Sequence, residues 1–336
     1  MAEFENEVYS ISSEEVNVQK DKKNYFLHIG LFILTFFTTT IAGAEWISGR
    51  TGPYEISFLL KGLPYSLSIM FIISSHEFGH YFAALFHKVK STLPFYIPFP
   101  AIPMFLNFGT MGAVIKVKSP IHSKKAMFDI GVAGPLAGFV ASLIVLIYGF
   151  THVPGINYLL TTHPGYFSSD FAKQGIELTF GNTLLFSFFK LIFIHTGQFF
   201  PPMSEIYHYP YLCVGWFGLF ITAMNMIPVG QLDGGHIAYT MFGDKNHYKM
   251  AVISIAVLML LGLSGVIESF LEINLSIGWV GWILWALLLF FIIKLRHPMV
   301  PDITELDAKR KFLGYLTFFI LIISFSPSPF VLTIGH

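Results

Sequence analysis

The run Ser74-Ser75-His76-Glu77-Phe78-Gly79-His80 sets two histidines four residues apart, with a carboxylate directly after the first. On a helix this spacing puts both imidazoles on one face, a turn apart, where they can share one Zn²⁺. Glu77 is then placed to take a proton from water activated by the metal and to pass it to a leaving nitrogen. The simpler alternative is a core helix with satisfied histidines, but burying these ionisable side chains in an apolar stretch without function is expensive. A catalytic zinc ordinarily has three protein ligands and one open position, so a third ligand must come from elsewhere. Asp129 and Asp233 are embedded near the ends of apolar stretches, whereas Glu268 and Glu272 lie at the opposite end of theirs. Asp129 stands near Lys124 and Lys125, and reads more simply as a carboxylate at a helix start.

The elements that must hold these groups are membrane helices. The chain is 54% apolar and 17% aromatic, with only 12% charged residues, far below the roughly 25% of soluble domains. Apolar stretches of about 20 residues lie near 24–44, 57–75, 126–150, 211–230, 249–267, 278–294 and 312–331, each long enough to cross about 30 Å of hydrocarbon as helix. Lipid leaves no water to satisfy an open sheet edge, so the expected fold is all-α and polytopic, with about seven transmembrane helices. The formal net charge of zero, with no dense basic cluster among exposed aromatics, argues against nucleic acid as a partner. Cys213, the only cysteine, sits in an apolar run; disulfide frameworks and cysteine zinc sites are excluded, and its thiol reads as buried filler.

Residues 1–23 form a polar tail with no evident cleavable signal, and the first apolar run is of spanning length. Placing this tail in the cytoplasm and alternating through seven spans leaves only Arg50, Lys61, Lys173 and Lys190 of the 20 basic residues off the inner side; that is the asymmetry of the positive-inside rule. The stretch from Thr183 to His195 carries Lys190 and is short for a span, so it is expected to lie at the outer interface without crossing. Segment 92–118 is different. Pro94, Pro98, Pro100 and Pro103 forbid helix, and 112–118 alternates like a strand, which predicts a re-entrant β-hairpin shielded by protein or a water-filled cavity. Gly131, Gly134 and Gly138 allow a neighbouring helix to approach closely, and Gly234 and Gly235 permit a bend that aims Asp233. Asn225 suits either an oxyanion donor or a partner for a freed carbonyl. His236 reads as a helix-end histidine facing headgroups.

His76-Glu77-Phe78-Gly79-His80 and Asn225-Met-Ile-Pro228-Val-Gly-Gln-Leu232-Asp233-Gly234-Gly235 together resemble the two signatures of the site-2 protease family of intramembrane metalloproteases. The glycines from 131 to 138 are similar to a glycine-rich stretch on that family's intervening span. The resemblance runs from about 57 to 240. It implies one zinc per chain held by His76, His80 and Asp233, Glu77 as the catalytic carboxylate, and a helix break at Asn225 and Pro228 that shapes the cleft. Many members carry a PDZ or a cystathionine-synthase-type regulatory domain, and neither fits here, so the chain resembles the compact bacterial and plastid branch.

The implied organisation is a polar tail (1–23), a first span with its outer loop (24–56), a catalytic core (57–240) and C-terminal transmembrane helices (241–336). The implied activity is hydrolysis of transmembrane protein substrates already trimmed by another protease, in a bacterial inner membrane with the N-terminus cytoplasmic. An unwound substrate would pair with the 112–118 strand, contacting Val114 and Ile115. Two rivals remain. A prenylated-peptide type membrane metalloprotease also uses His-Glu-x-x-His, but with a glutamate as third ligand. A non-catalytic metal transporter or scaffold would not need Glu77.

Overall fold

The computed structural model describes residues 25–100, 107–168, 176–271, 273, 277–302 and 304–334. Helix α1 (Tyr25–Ser48) leads through the short α2 (Ile56–Lys61) into α3 (Leu63–Phe86). Pro64 suits the first turn of α3, where its missing N–H costs nothing. Gly62 passes so close to α1 that a Cβ there would meet the backbone of Thr40 and Ala44. Next come β1 (Phe95–Pro98) and β2 (Thr110–Val114), followed by α4 (Lys124–Thr151), whose first turn is capped by the Ser123 side chain accepting from Ala126 N. Helix α4 is central and packs on α3 and α7 (Pro210–Asn225). Between them run α5 (Ile156–Thr162), β3 (Ile176–Phe180), α6 (Leu184–Phe193) and a 3₁₀ turn at Ile206–His208. Helix α8 (Asp233–Leu271) also packs on α4 and is bent at Gly243, whose φ of 77° breaks the helical backbone. The chain ends with α9 (Gly281–Leu288) and its π-helical continuation Leu289–Ile293, α10 (Ala308–Ser324), and β4 (Phe330–Ile334).

Among the described residues, three helices, α1, α4 and α8, are long and apolar enough to cross a membrane. Exposed apolar side chains such as Phe26, Phe86, Leu191 and Phe270 cover the outer surface, as expected of a chain that associates with a membrane. Several expected spans are shorter or more broken than their hydropathy suggested. Helix α7 stops at Asn225 rather than 230, because Pro228 disfavours helix at the residue before it. The last expected span, 312–331, is helical only to Ser324; Pro327 and Pro329 end the helix, and β4 follows. Helix α6 has 10 residues, about 15 Å of rise and half of what a crossing requires.

Among the described residues, two antiparallel two-stranded sheets accompany the helices, and the first is a hairpin. In the first, Phe95 pairs with Val114, Tyr96 with Ala113 and Pro98 with Thr110, with an irregularity between Tyr96 and Pro98. The regular strand therefore starts two residues before the expected 112 and ends at Val114; further on, Val117 bridges Ser91 and the Lys116 carbonyl accepts from Thr92 N. Residues 101–106, Pro103 included, lie outside the described residues. The second sheet, which no sequence signal announced, is a long-range pairing of β3 with β4 in register from Ile176↔Ile334 to Phe180↔Phe330. It seats Phe180 and Phe330 in an aromatic core with Trp216 and Phe217, where Trp216 Nε1 donates to the Gly181 carbonyl at 2.8 Å.

Candidate metal centre

His76, Glu77 and His80 lie on consecutive turns of α3 and are all buried. Asp233 reaches them from a different element: α7 ends at Asn225, a non-helical turn covers 226–232, and Asp233 opens α8. A carboxylate in the first turn of a helix also suits the helix dipole. The three putting-together distances form a near-equilateral triangle, with His76 Nε2 to His80 Nε2 3.0 Å, His76 Nε2 to Asp233 Oδ2 3.3 Å, and His80 Nε2 to Asp233 Oδ2 3.4 Å. Ligand bonds of about 2.0–2.1 Å in a tetrahedron give edges of about 3.3–3.4 Å, so the donor set fits zinc in size as well as in chemistry.

The surroundings hold the triangle in place. His80 Nδ1 donates to the Ile130 carbonyl at 2.7 Å, which leaves the Nε2 lone pair free for a metal, the usual arrangement of a ligating histidine. The α4 glycines are the other half of the support. A Cβ on Gly134 would overlap the His80 ring, one on Gly138 would stand 3.1 Å from His76 Cβ, and one on Gly131 would stand 3.0 Å from His236 Cβ. From α3, a Cβ on Gly79 would press on the Ala133 carbonyl at 2.5 Å. Gly234 and Gly235 act differently from expectation. Neither has a positive φ; their lack of a Cβ lets the 226–230 turn lie against the start of α8, where Met226 O and Gly230 O come too close for any side chain.

The first hairpin adjoins the site. The backbone of Ile115 lies beside the Glu77 carboxylate, and Tyr96 on β1 hydrogen-bonds Ser74 on α3 at 2.7 Å. Val114 is exposed at the end of β2. Asn225 is half-buried at the end of α7 and Pro228 is buried in the following turn; among the described residues, neither is hydrogen-bonded to the triangle. An open apolar groove of about 730 Å³ between α3 and α4 is lined by Phe71, Phe78, Phe82, Val140 and Ile144, on the face of α3 turned away from the triangle, and none of the three ligand candidates lines it.

The other candidate ligands are engaged elsewhere. Asp129 accepts a two-pronged contact from Arg310, Nε to Oδ1 at 2.8 Å and Nη2 to Oδ2 at 2.6 Å, and a third from His87 Nε2 at 2.8 Å. Its partner is thus on α10, not Lys124 or Lys125. Glu268 Oε1 accepts from the backbone of Ile277 and Gly278, and Glu272 lies outside the described residues. His236 faces neither headgroups nor the triangle: its Nδ1 meets His297 Nε2 at 2.7 Å. His297 in turn donates from Nδ1 to the Pro298 carbonyl at 2.6 Å, and burial holds its imidazole pKa below the ordinary value.

The chain is 29% identical over 282 residues to the probable zinc metalloprotease EGY2, chloroplastic, of Arabidopsis thaliana, a match covering 83% of this chain and 44% of the relative. It is 29% identical over 327 residues to EGY1 of Oryza sativa subsp. japonica, covering 90% of this chain and 50% of the relative, and 25% identical over 255 residues to EGY3 of Arabidopsis thaliana, covering 74% and 41%. The chain spans about half the length of the curated relatives it matches. These relatives are named as chloroplastic, and the matches give the expected bacterial inner membrane no support. A family model described as peptidase family M50 matches residues 64–263. That match takes in more than half of the chain and runs through α3, the glycine face of α4 and the turn that delivers Asp233, and the chain belongs to peptidase family M50.

Proposed function

We propose that the chain is an intramembrane zinc metalloprotease that hydrolyses peptide bonds of transmembrane protein substrates, with His76, His80 and Asp233 as zinc ligands and Glu77 as the catalytic carboxylate. The observation that carries this reading is the convergence of His76 Nε2, His80 Nε2 and Asp233 Oδ2 within 3.0–3.4 Å of one another, with Glu77 next in the chain. When bound, zinc supplies a Lewis acid that lowers the pKa of water and polarises the scissile carbonyl. Glu77 takes the proton of the attacking water on its carboxylate and delivers it to the leaving nitrogen. The Ile115 amide, beside that carboxylate, is assigned to orienting it. Asn225 is assigned to the developing oxyanion and Pro228 to shaping the cleft.

The substrate is a transmembrane segment already trimmed by another protease. It must unwind before cleavage, because helical peptide bonds are shielded, and it adds as a strand along β2, against Val114 and Ile115. The assignment extends to about seven membrane crossings, a catalytic core over 57–240, C-terminal helices over 241–336, and an N-terminal tail in the cytoplasm of a bacterial cell. The distribution of basic residues supports that orientation.

The test is zinc content by elemental mass spectrometry on detergent-purified protein, with cleavage of a single-span substrate measured alongside. His76→Ala, His80→Ala and Asp233→Ala are each expected to lose one zinc per chain relative to the wild type, and Glu77→Gln to keep its zinc while losing cleavage. A zinc count in Asp233→Ala equal to that of the wild type overturns the ligand set and favours the glutamate-ligand type of membrane metalloprotease; cleavage retained in Glu77→Gln overturns the enzyme reading in favour of a non-catalytic metal binder.

A further inference from the structure

A second cluster lies at the opposite end of α7. That helix has 16 residues, about 24 Å of rise, and Asn225 and the first triangle are at its C-terminal end. Before its N-terminus, the 3₁₀ turn Ile206–His208 is flanked by Glu205 and ends in His208, while His163 closes α5. His163 Nε2 is 2.9 Å from His208 Nε2, and Glu205 Oε2 is 3.5 Å from the first and 3.4 Å from the second. These edges nearly repeat those of the His76, His80 and Asp233 triangle.

Hydrogen bonding among the three side chains does not account for this arrangement. His208 Nδ1 is 2.8 Å from the Ile47 carbonyl. A carbonyl only accepts, so Nδ1 carries the proton and Nε2 of the neutral ring presents a lone pair. The His163 contact can be a hydrogen bond only if His163 donates from Nε2. Glu205 is then left out: it is 5% exposed, and its Oε2 has no hydrogen-bond partner among the described residues although it points at both imidazoles. A buried carboxylate oxygen in that position costs several kcal/mol in desolvation unless a cation or donor meets it. One cation accepts the lone pairs of all three groups together. The backbone leaves room for it, since Gly49, at φ 61°, lies over the cluster where a Cβ would come within 3.1 Å of His208 Cε1.

The geometry points to a second metal site, formed by His163, Glu205 and His208, that binds a divalent transition metal ion, with zinc as the fitting ion. Two imidazoles and one carboxylate suit zinc or its neighbours and are a poor set for magnesium or calcium, which take oxygen ligands. The Nδ1 contact of His208 to a main-chain carbonyl repeats the support that Ile130 gives His80. His163 is the half-buried member, so the remaining coordination position faces its side of the cluster. Such an ion joins the end of α5 to the 3₁₀ turn before α7, and the His208 Nδ1 contact to the Ile47 carbonyl ties that turn to the end of α1. Its presence is independent of the reading of the first site.

The test uses the full chain in detergent, titrated with Zn²⁺ after chelator washing, with bound zinc counted per chain and a single monodisperse species confirmed for each variant. The wild type is expected to bind two zinc ions, Glu205→Gln one, Asp233→Ala one, and the double variant none. His163→Gln is the second variant for this site, because its partly exposed position makes it least disruptive to folding. Co²⁺ loaded into Asp233→Ala reports the second site alone, and its visible d–d bands are expected to disappear on adding Glu205→Gln or His163→Gln. If the wild type binds one ion and neither Glu205→Gln nor His163→Gln changes the count or the cobalt spectrum, the second site is overturned and the first stands. If the count falls in Glu205→Gln but not in Asp233→Ala, the second site stands and the ligand set proposed above fails.

Discussion

Gly134 of α4 lies flat against the imidazole of His80, so that a Cβ at that position would overlap the ring. The close approach is therefore a constraint on a zinc-ligand candidate as well as a feature of helix packing. Gly134→Ala is expected to displace His80 Nε2 from His76 and Asp233, and to weaken zinc binding by about 10- to 100-fold, the range seen when the groups that orient a ligand are disturbed. Gly131→Ala presses on His236 Cβ, at 3.0 Å, and makes only ordinary contact with the Asp233 carbonyl, at 3.7 Å, and is expected to lower zinc affinity by less than about tenfold. Zinc titration of both variants, with the monodisperse fraction as a folding control, decides the matter; equal effects from the two would remove the specific link to His80.

The sequence made the local half of this site legible and left most of the spatial half unread. A four-residue histidine spacing says which groups share a helical face, and the short signature around Asp233 names a second segment, but neither shows that the two meet. The ambiguity over Asp129 resolves only when α10 brings Arg310 to it, since the neighbouring Lys124 and Lys125 were the only cations that sequence proximity could suggest. Hydropathy also overstated helix: it counted the apolar residues around Pro327 and Pro329 as span, although proline spacing alone was enough to end α10 at Ser324. Strand β4 and its partner β3 come from opposite ends of the C-terminal half, and a pairing that distant leaves no periodic trace. The same holds for His163, which closes α5 and meets Glu205 and His208 of one distant 3₁₀ turn without any motif spacing between the two segments.

The Ile115 amide reaches Glu77 from the end of the first hairpin. If a substrate strand adds there, proline at Val114 or Ile115 removes a main-chain donor without removing a charged group. Each substitution is expected to lower cleavage of a single-span substrate by about 2- to 10-fold per lost hydrogen bond, at unchanged zinc content, while Ile115→Ala, which keeps the amide, stays near wild type. Unchanged cleavage in both proline variants would remove the strand from the mechanism.

Arg310 anchors α10 to α4 through Asp129, the residue before Ile130, whose carbonyl holds His80. Both side chains are mostly buried, at 27% and 21% exposure, and the contact is two-pronged, a geometry that lysine cannot copy. Arg310→Ala is expected to destabilise the protein by about 1–3 kcal/mol, with Arg310→Lys recovering only part of the loss. Thermal unfolding in detergent measures this. In a cycle with Asp129→Asn, the two losses should be strongly non-additive; simple additivity would mean that the pair does not act as a unit.

His297 supplies a pH dependence that does not pass through the metal centre. Its Nδ1–H donates to Pro298 O, so its neutral Nε2 accepts the Nδ1–H of His236. Tyr239 stacks on the ring, His247 stands edge-on to it, and Asp244 pulls its pKa upward against the burial that lowers it. Because the folded-state pKa lies below the unfolded one, the unfolded chain binds the extra proton more readily. The stabilisation is present above the ordinary imidazole value of about 6.5 and is lost as pH falls below it. The thermal midpoint is therefore expected to drop on acidification from pH 7 to 5, as protonation sets a donor on His297 against the donor on His236. His297→Gln, in which an amide oxygen can accept from His236 at any of these pH values, is expected to flatten that slope. A slope as steep in His297→Gln as in the wild type would assign the acid sensitivity to other groups.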